Sequence, residues 1–478
     1  MACNHEIMID NFNPEETVHY SVIIIKGHVK NKPKSTCQTE QIYVNPGSTN
    51  SYFKIVDGKF KVLSELKLGQ NSIILKYCCL TTTVFINYAP RQSNLSVLPL
   101  YIICEGHDGK FQAPETQQND IDSACKRITL CSKLLQSVIA EKLNEQNQRR
   151  KTFKLEDDCR VFRSKLNYLE ARKMTQEELW TSLGREIANS DIGREEIKFL
   201  GFLSCTKYCG EGYEENFFHD DIVKLTQAYV ALGGGGLALF GTACLYTWPE
   251  DVSHVIEKFE DCSLIDRRQF MDDSCYRGTF GACFSTTLGS VLHELCHTFD
   301  LGHTGNGIMG RGFDDIYKVF VSFKSERSGD IRRTFQNSIE FEEKFDTGLL
   351  SDRLAEKKKG FSVKDESSKI EQDGTFWTRS CLTFLSYHKW MNDFEFSKND
   401  VIKFDPVTKF LSSIAGLRVI ELRNENDGMV IKDWIFDGKV LKYSFQVPED
   451  ELNNLSKKSV MLVVEDNIGN ILKHVVNI

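Results

Sequence analysis

The stretch His293-Glu294-Leu295-Cys296-His297-Thr298-Phe299-Asp300-Leu301-Gly302-His303 holds three of the chain's eleven histidines. Residues four apart on a helix lie one above the other, so His293 and His297 can offer two imidazoles to one metal ion. Glu294 points about a quarter turn away, near enough to reach a water on that metal without ligating it. Phe284, Leu288, Val291, Leu295 and Phe299 fall on the opposite side, so one face of the helix is core and the other is chemistry. Ser285, Thr286 and Thr287 supply N-cap candidates. Gly302 stands where a helix would stop, and His303 just beyond it can return to the metal as third ligand. The stretch therefore predicts one catalytic Zn2+ held by His293, His297 and His303. Unconnected core or surface histidines are the bland reading. The third histidine, the glycine break and the apolar face argue against it.

Composition bounds the rest. At 478 residues the chain is too long for one ordinary core. Hydrophobic residues at 41% and charged residues at 26% are normal for a globular protein. A net charge of −8 argues against nucleic acid as the main partner. No apolar run is long enough for a membrane span, and the N-terminus lacks the pattern of a signal peptide. The sixteen cysteines are irregularly spaced, which fits reduced thiols and a cytoplasmic location. Cys205 and Cys209 would need further partners to hold a second zinc, and buried thiols explain them better.

Taken in order, residues 1–90 read as short strands with turn signals, an immunoglobulin-like β-sandwich. Residues 97–392 read as an α/β catalytic domain. Strands are expected at 97–104, 152–155, 197–205 and 237–248. Helices are expected at 120–145, from the capping box Thr175-Gln176-Glu177-Glu178 through Ile187, and at 220–232. Gly233 to Gly236 reads as a flexible turn, and the 237–248 strand either as a rim along which an extended peptide could pair or as an internal strand of the sheet. Residues 322–375 read as a long charged insertion. The apolar helix 376–390 carries His388, a structural histidine. Residues 405–478 read as a second β-sandwich.

The motif resembles that of the metzincin zinc peptidases, HExxHxxGxxH followed by a Met-turn. More narrowly, HELCHTFDLGHTGNGIMGRGF resembles a eukaryotic family of zinc metalloproteinases whose fungal members carry a jacalin-like domain. No carbohydrate binding is carried over here. The resemblance implies a metzincin-like fold for the catalytic domain, His293, His297 and His303 as ligands, Glu294 as catalytic glutamate and Met309 as the Met-turn residue. One departure stands out: Asp300 occupies the place of the family's glycine. Asp is among the cheaper non-glycine residues in a left-handed conformation. It can hold the turn itself, leave the turning to Gly302, or bond a ligand imidazole.

These readings point to a zinc-dependent endopeptidase acting on peptide or protein substrates. Three neutral imidazoles leave one zinc position open for water and lower its pKa from about 15.7 toward roughly 7. Glu294 then serves as general base. Tyr317 is a weak candidate for stabilising the oxyanion. The rival reading is a catalytically weak or inactive zinc-binding interaction protein that uses its β domains for partner binding. An intact Glu294 speaks against it.

Overall fold

The computed structural model describes residues 5–31, 39–45, 51–275, 277–323, 374–393, 401–453 and 459–476. The expected insertion at 322–375 lies almost wholly outside them. The protein is mixed α/β, built on three large sheets and a long helix that joins the first two.

The five-stranded central sheet carries the chemistry. Its heart is Ile197–Leu203, IKFLGFL, in which every residue is buried. That is the signature of a parallel strand covered on both faces. It pairs in parallel with Ser96–Glu105 on one side and Leu237–Gly241 on the other. Arg160–Asn167 adds a fourth parallel strand. Ala231–Gly234 closes the opposite edge, antiparallel to Leu237–Gly241.

Three sequence expectations change here. The strand expected at 152–155 is reduced to a single bridge between Leu155 and Val97. The strand forms instead at Arg160–Asn167, a mostly exposed, charge-rich segment with no apolar alternation to read. The helix expected at 220–232 is only His219–Lys224. The long strand expected at 237–248 ends at Gly241 and lies inside the sheet, so the rim is Ala231–Gly234.

Helix Ile121–Glu145 packs between the first two sheets. Asp120 caps it, accepting from the Ser123 N–H at 2.9 Å. Ser137 Oγ donates to the Val22 carbonyl at 2.5 Å on one side, and Gln136 Nε2 to the Phe153 carbonyl at 2.7 Å on the other. This position explains why Val22, Ile23, Ile24 and Ile25 are all buried: the helix covers the second face of their strand.

The N-terminal region is β, and its eight strands hydrogen-bond along one continuous path. The C-terminal region likewise forms one six-stranded sheet, organised around the fifteen-residue strand Phe410–Asn424. Apolar alternation announces a buried face without saying what covers it, and here helices do much of the covering. In the C-terminal region helix Arg379–Tyr387 lies against Phe410–Asn424, with Arg423 stacked 5.3 Å from the Phe384 ring and Arg418 4.4 Å from the Tyr387 ring. Val419 and Val463 thereby join the core that contains the histidine helix. The helix expected at 376–390 is accordingly Arg379–Tyr387 followed by a short turn of 3-10 helix.

Candidate metal centre

The histidines sit on helix Phe280–Thr298 and the turn after it. Thr279 caps the helix, its side chain accepting from the Ala282 N–H at 3.2 Å. Ser285, Thr286 and Thr287 therefore lie inside the helix rather than at its start. Ser285 and Thr287 instead donate to the carbonyls of Asp314 and Cys283, both at 2.7 Å. The five expected core residues, Phe284, Leu288, Val291, Leu295 and Phe299, are all buried.

The helix ends in a Schellman motif. The Asp300 N–H donates to the His297 carbonyl at 3.1 Å, and the Leu301 N–H to the Cys296 carbonyl at 3.2 Å. Asp300 holds the left-handed position with φ 64°. Asp300 therefore does the turning, and Gly302 does not. Nor does Asp300 bond a ligand imidazole. Its carboxylate lies 2.5 Å from Lys473 Nζ and 3.5 Å from His388 Nε2. Burial pushes that carboxyl up, but these two neighbours outweigh burial and hold it well below the usual range. His388 is thus part of what supports the turn.

The Schellman turn aims the Leu301 carbonyl back at the second histidine, where it lies 2.9 Å from His297 Nδ1. The other two rings are held in the same way. The Ile308 carbonyl lies 2.8 Å from His293 Nδ1, and the Asp427 carbonyl 2.5 Å from His303 Nδ1. A carbonyl can only accept, so each Nδ1 carries the proton and each Nε2 is left with a bare lone pair. Those three Nε2 atoms converge: His297 to His293 at 3.1 Å and His297 to His303 at 3.0 Å. Three lone pairs facing one another repel unless a cation lies between them. Tetrahedral zinc, with Zn–N about 2.0–2.1 Å, would separate its ligands by about 3.3 Å, so the donor set fits zinc closely. Burial pushes the His293 imidazole down to about 3, and His297 also falls well below its ordinary value, so both stay neutral as ligands must. Among the described residues no other group of three or more histidine, cysteine or carboxylate side chains is gathered this way. Cys205 packs instead against Cys104, Sγ to Sγ 3.8 Å.

Glu294 lies under the edge strand. Its Oε2 accepts from the Gly233 N–H at 2.7 Å, and burial pushes its carboxyl up to about 8 against that hydrogen bond. Gly233 was expected in a flexible turn, yet it is part of strand Ala231–Gly234. Any side chain there would collide with the Glu294 main chain. The glycine run thus lets the edge strand lie directly on the helix, one glycine being needed for close approach. One turn earlier on the helix, Ser290 and Val291 line a cavity with Tyr229, Ala231 and Asp273.

Met309 is buried in the glycine-rich turn after His303, its carbonyl accepting from the Thr304 N–H at 2.9 Å. The same turn supplies the Ile308 carbonyl that orients His293. Tyr317 lies beside Ser285, to which its N–H donates at 3.2 Å. Ser285 is eight residues from His293, about 12 Å along the helix. Sequence reading missed Gly233 and the C-terminal loop at 424–430. The four-glycine run was a signal for the first. The second carries none.

Residues 6–391 match the model of a family described as "Putative peptidase family". The chain is 24% identical over 357 residues to a protein of Schizosaccharomyces pombe named as a putative zinc metalloproteinase, covering 68% of this chain and 55% of that one. It is also 24% identical over 354 residues to one of Saccharomyces cerevisiae carrying the same description, covering 67% and 50%. The chain thus spans about half the length of the curated relatives it matches. No helix among the described residues is long and apolar enough to cross a membrane. With four-fifths of its length inside one family model, the chain belongs to the putative peptidase family.

Proposed function

We propose that this chain is a zinc-dependent endopeptidase of metzincin-like build, with His293, His297 and His303 as ligands and Glu294 as general base. The observation that carries this reading is the convergence of three bare Nε2 atoms on the helix face that carries a half-buried glutamate, beneath an antiparallel edge strand. Zinc bound there supplies Lewis acidity to a water and to the scissile carbonyl. A dication beside it would draw the Glu294 carboxyl back down from the raised value that burial gives it, and the ionised Glu294 takes the proton of the attacking water and delivers it to the leaving amine. The Gly233 N–H holds one carboxylate oxygen, so the base is already oriented. Ala231–Gly234 is a sheet edge and can pair with an extended substrate backbone. Met309 supports the ligands from the turn, and residues 97–392 form the catalytic domain between units 1–90 and 405–478. The zinc metalloproteinase names of both relatives support the same chemistry.

The test is Glu294→Gln, with zinc content and cleavage of unfolded protein measured on one preparation. Zinc should stay at the wild-type level while cleavage falls by about 10²–10⁴-fold. Undiminished cleavage with zinc in place would remove Glu294 from the role of base.

A further inference from the structure

The third histidine is held by a part of the chain outside the family match. That match ends at residue 391, yet the fixed geometry of His303 comes from residues 427–430. Its Nδ1 faces the Asp427 carbonyl at 2.5 Å. Its N–H donates to the Gly428 carbonyl at 3.1 Å, and its carbonyl accepts from the Val430 N–H at 2.9 Å. These bonds form a parallel bridge between His303 and Met429. By contrast, His293 and His297 are oriented by Ile308 and Leu301, both within fifteen residues of them.

The loop is built for the purpose. It joins strands Phe410–Asn424 and Val430–Ile435. The Gly428 N–H donates to the Asn424 carbonyl, and the Asn424 N–H to the Met429 carbonyl, both at 2.9 Å. Asp427 Oδ1 accepts from the Met429 N–H at 3.0 Å. Gly428 takes φ 66°, a conformation that side chains resist. On the other side, a Cβ on Gly302 would come within 2.7 Å of Arg423 Nε and 2.8 Å of the Gly428 carbonyl. Gly302 is therefore the glycine that lets the two segments touch. Arg423 is itself fixed, its Nε donating to Glu421 at 2.6 Å in the buried seam.

We infer that the 424–430 loop is a positioning element of the metal centre: it fixes the tautomer and place of His303, so zinc retention depends on docking of the C-terminal sheet. This rests on the zinc reading above. Carbonyl partners of ligand imidazoles set both tautomer and ring orientation, and disturbing such partners typically costs about 10–100-fold in metal affinity. Linkage makes the effect reciprocal: zinc binding must steady the loop as much as the loop steadies zinc.

The experiment uses the full chain and Zn2+ in competition with a chromophoric chelator, with Co2+ absorption as a view of the ligand field. Gly428→Val, a β-branched residue at positive φ, should weaken zinc by about 10–100-fold and change the Co2+ spectrum, while helix content stays near wild type and the metal-free protein melts somewhat lower from the backbone strain. Asp427→Ala loosens the same loop without backbone strain and should shift affinity in the same direction. It decides the matter if Gly428→Val does not fold. Zinc should also slow amide exchange at 424–430 in the wild type. Unchanged affinity and an unchanged Co2+ spectrum in a folded variant would overturn the inference. A wild type that takes up no zinc would overturn the zinc reading and this one with it. Zinc bound without peptide cleavage would count against the peptidase alone.

Discussion

His293 and His303 point at the same place, but different physics puts them there. His293 and His297 are fixed by helical periodicity: one helix, a four-residue spacing, and carbonyls from the turns that follow it. His303 lies past the Schellman turn, and its ring is held by a carbonyl 124 positions further along. The first pair is a local structure. The placing of His303 is tertiary. A helix keeps its side chains in register as long as its apolar face stays buried, whereas a ligand held by a distant loop is only as well placed as the docking of that loop.

The largest expected effects separate the two kinds of ligand. His297→Ala and His303→Ala should each abolish stoichiometric zinc and peptide cleavage. They should differ in the metal-free state. His297→Ala leaves the bond between His303 and Asp427 intact, so amide exchange at 424–430 should match that of metal-free wild type. His303→Ala removes that bond, and exchange there should be faster. Equal exchange in both variants would mean that the ring bond contributes nothing to the docking of the loop.

The same contrast explains what could be read in advance. The histidine spacing, the buried face, the capping box at Thr175 and the helix from Ile121 to Glu145 all follow from patterns within a few turns of chain, and they are legible. The missed elements depend on distant partners. Arg160–Asn167 is a strand because Ser96–Glu105 offers it an edge, not because its own residues alternate. Ala231–Gly234 is a strand although glycine is a poor strand former, because Leu237–Gly241 offers it an edge and only a glycine fits at 233, against the Glu294 main chain. The alternating β regions were legible as β, but what covered their second faces was not.

A smaller effect probes the edge strand. A Cβ on Gly233 would overlap the Glu294 carbonyl, so Gly233→Ala must push strand and helix apart. Overpacking of this kind costs about 1–3 kcal/mol, and moving the N–H that holds Glu294 should lower kcat. Zinc content should change little, since the edge strand carries no histidine and the helix is packed into the core on its other face. Thermal melting, kcat and zinc analysis of the one variant check all three. The neighbouring Gly236→Ala serves as control, because a Cβ there meets nothing within 4 Å.

The smallest effect lies at Asp300, where the two regions meet: its backbone ends the histidine helix and its carboxylate reaches Lys473 of the C-terminal sheet. Asp300→Asn keeps a side chain that tolerates positive φ and removes only the charge. At neutral pH it should cost about 1 kcal/mol. The sign follows from the depressed carboxyl. The stability contributed by an ionised Asp300 is fully present above the unfolded value of about 3.9 and is lost as pH falls toward the lower folded value. Urea unfolding of wild type and Asp300→Asn should therefore differ at pH 7 and converge below about pH 4. Asp300→Gly loses the same ion pair but relieves the left-handed strain, worth about 1 kcal/mol, and should fall between the two. If Asp300→Gly proves more stable than wild type, the turn is strained by more than Lys473 and His388 return. Asp300 would then be a residue that costs stability in order to tie the histidine helix to the C-terminal sheet.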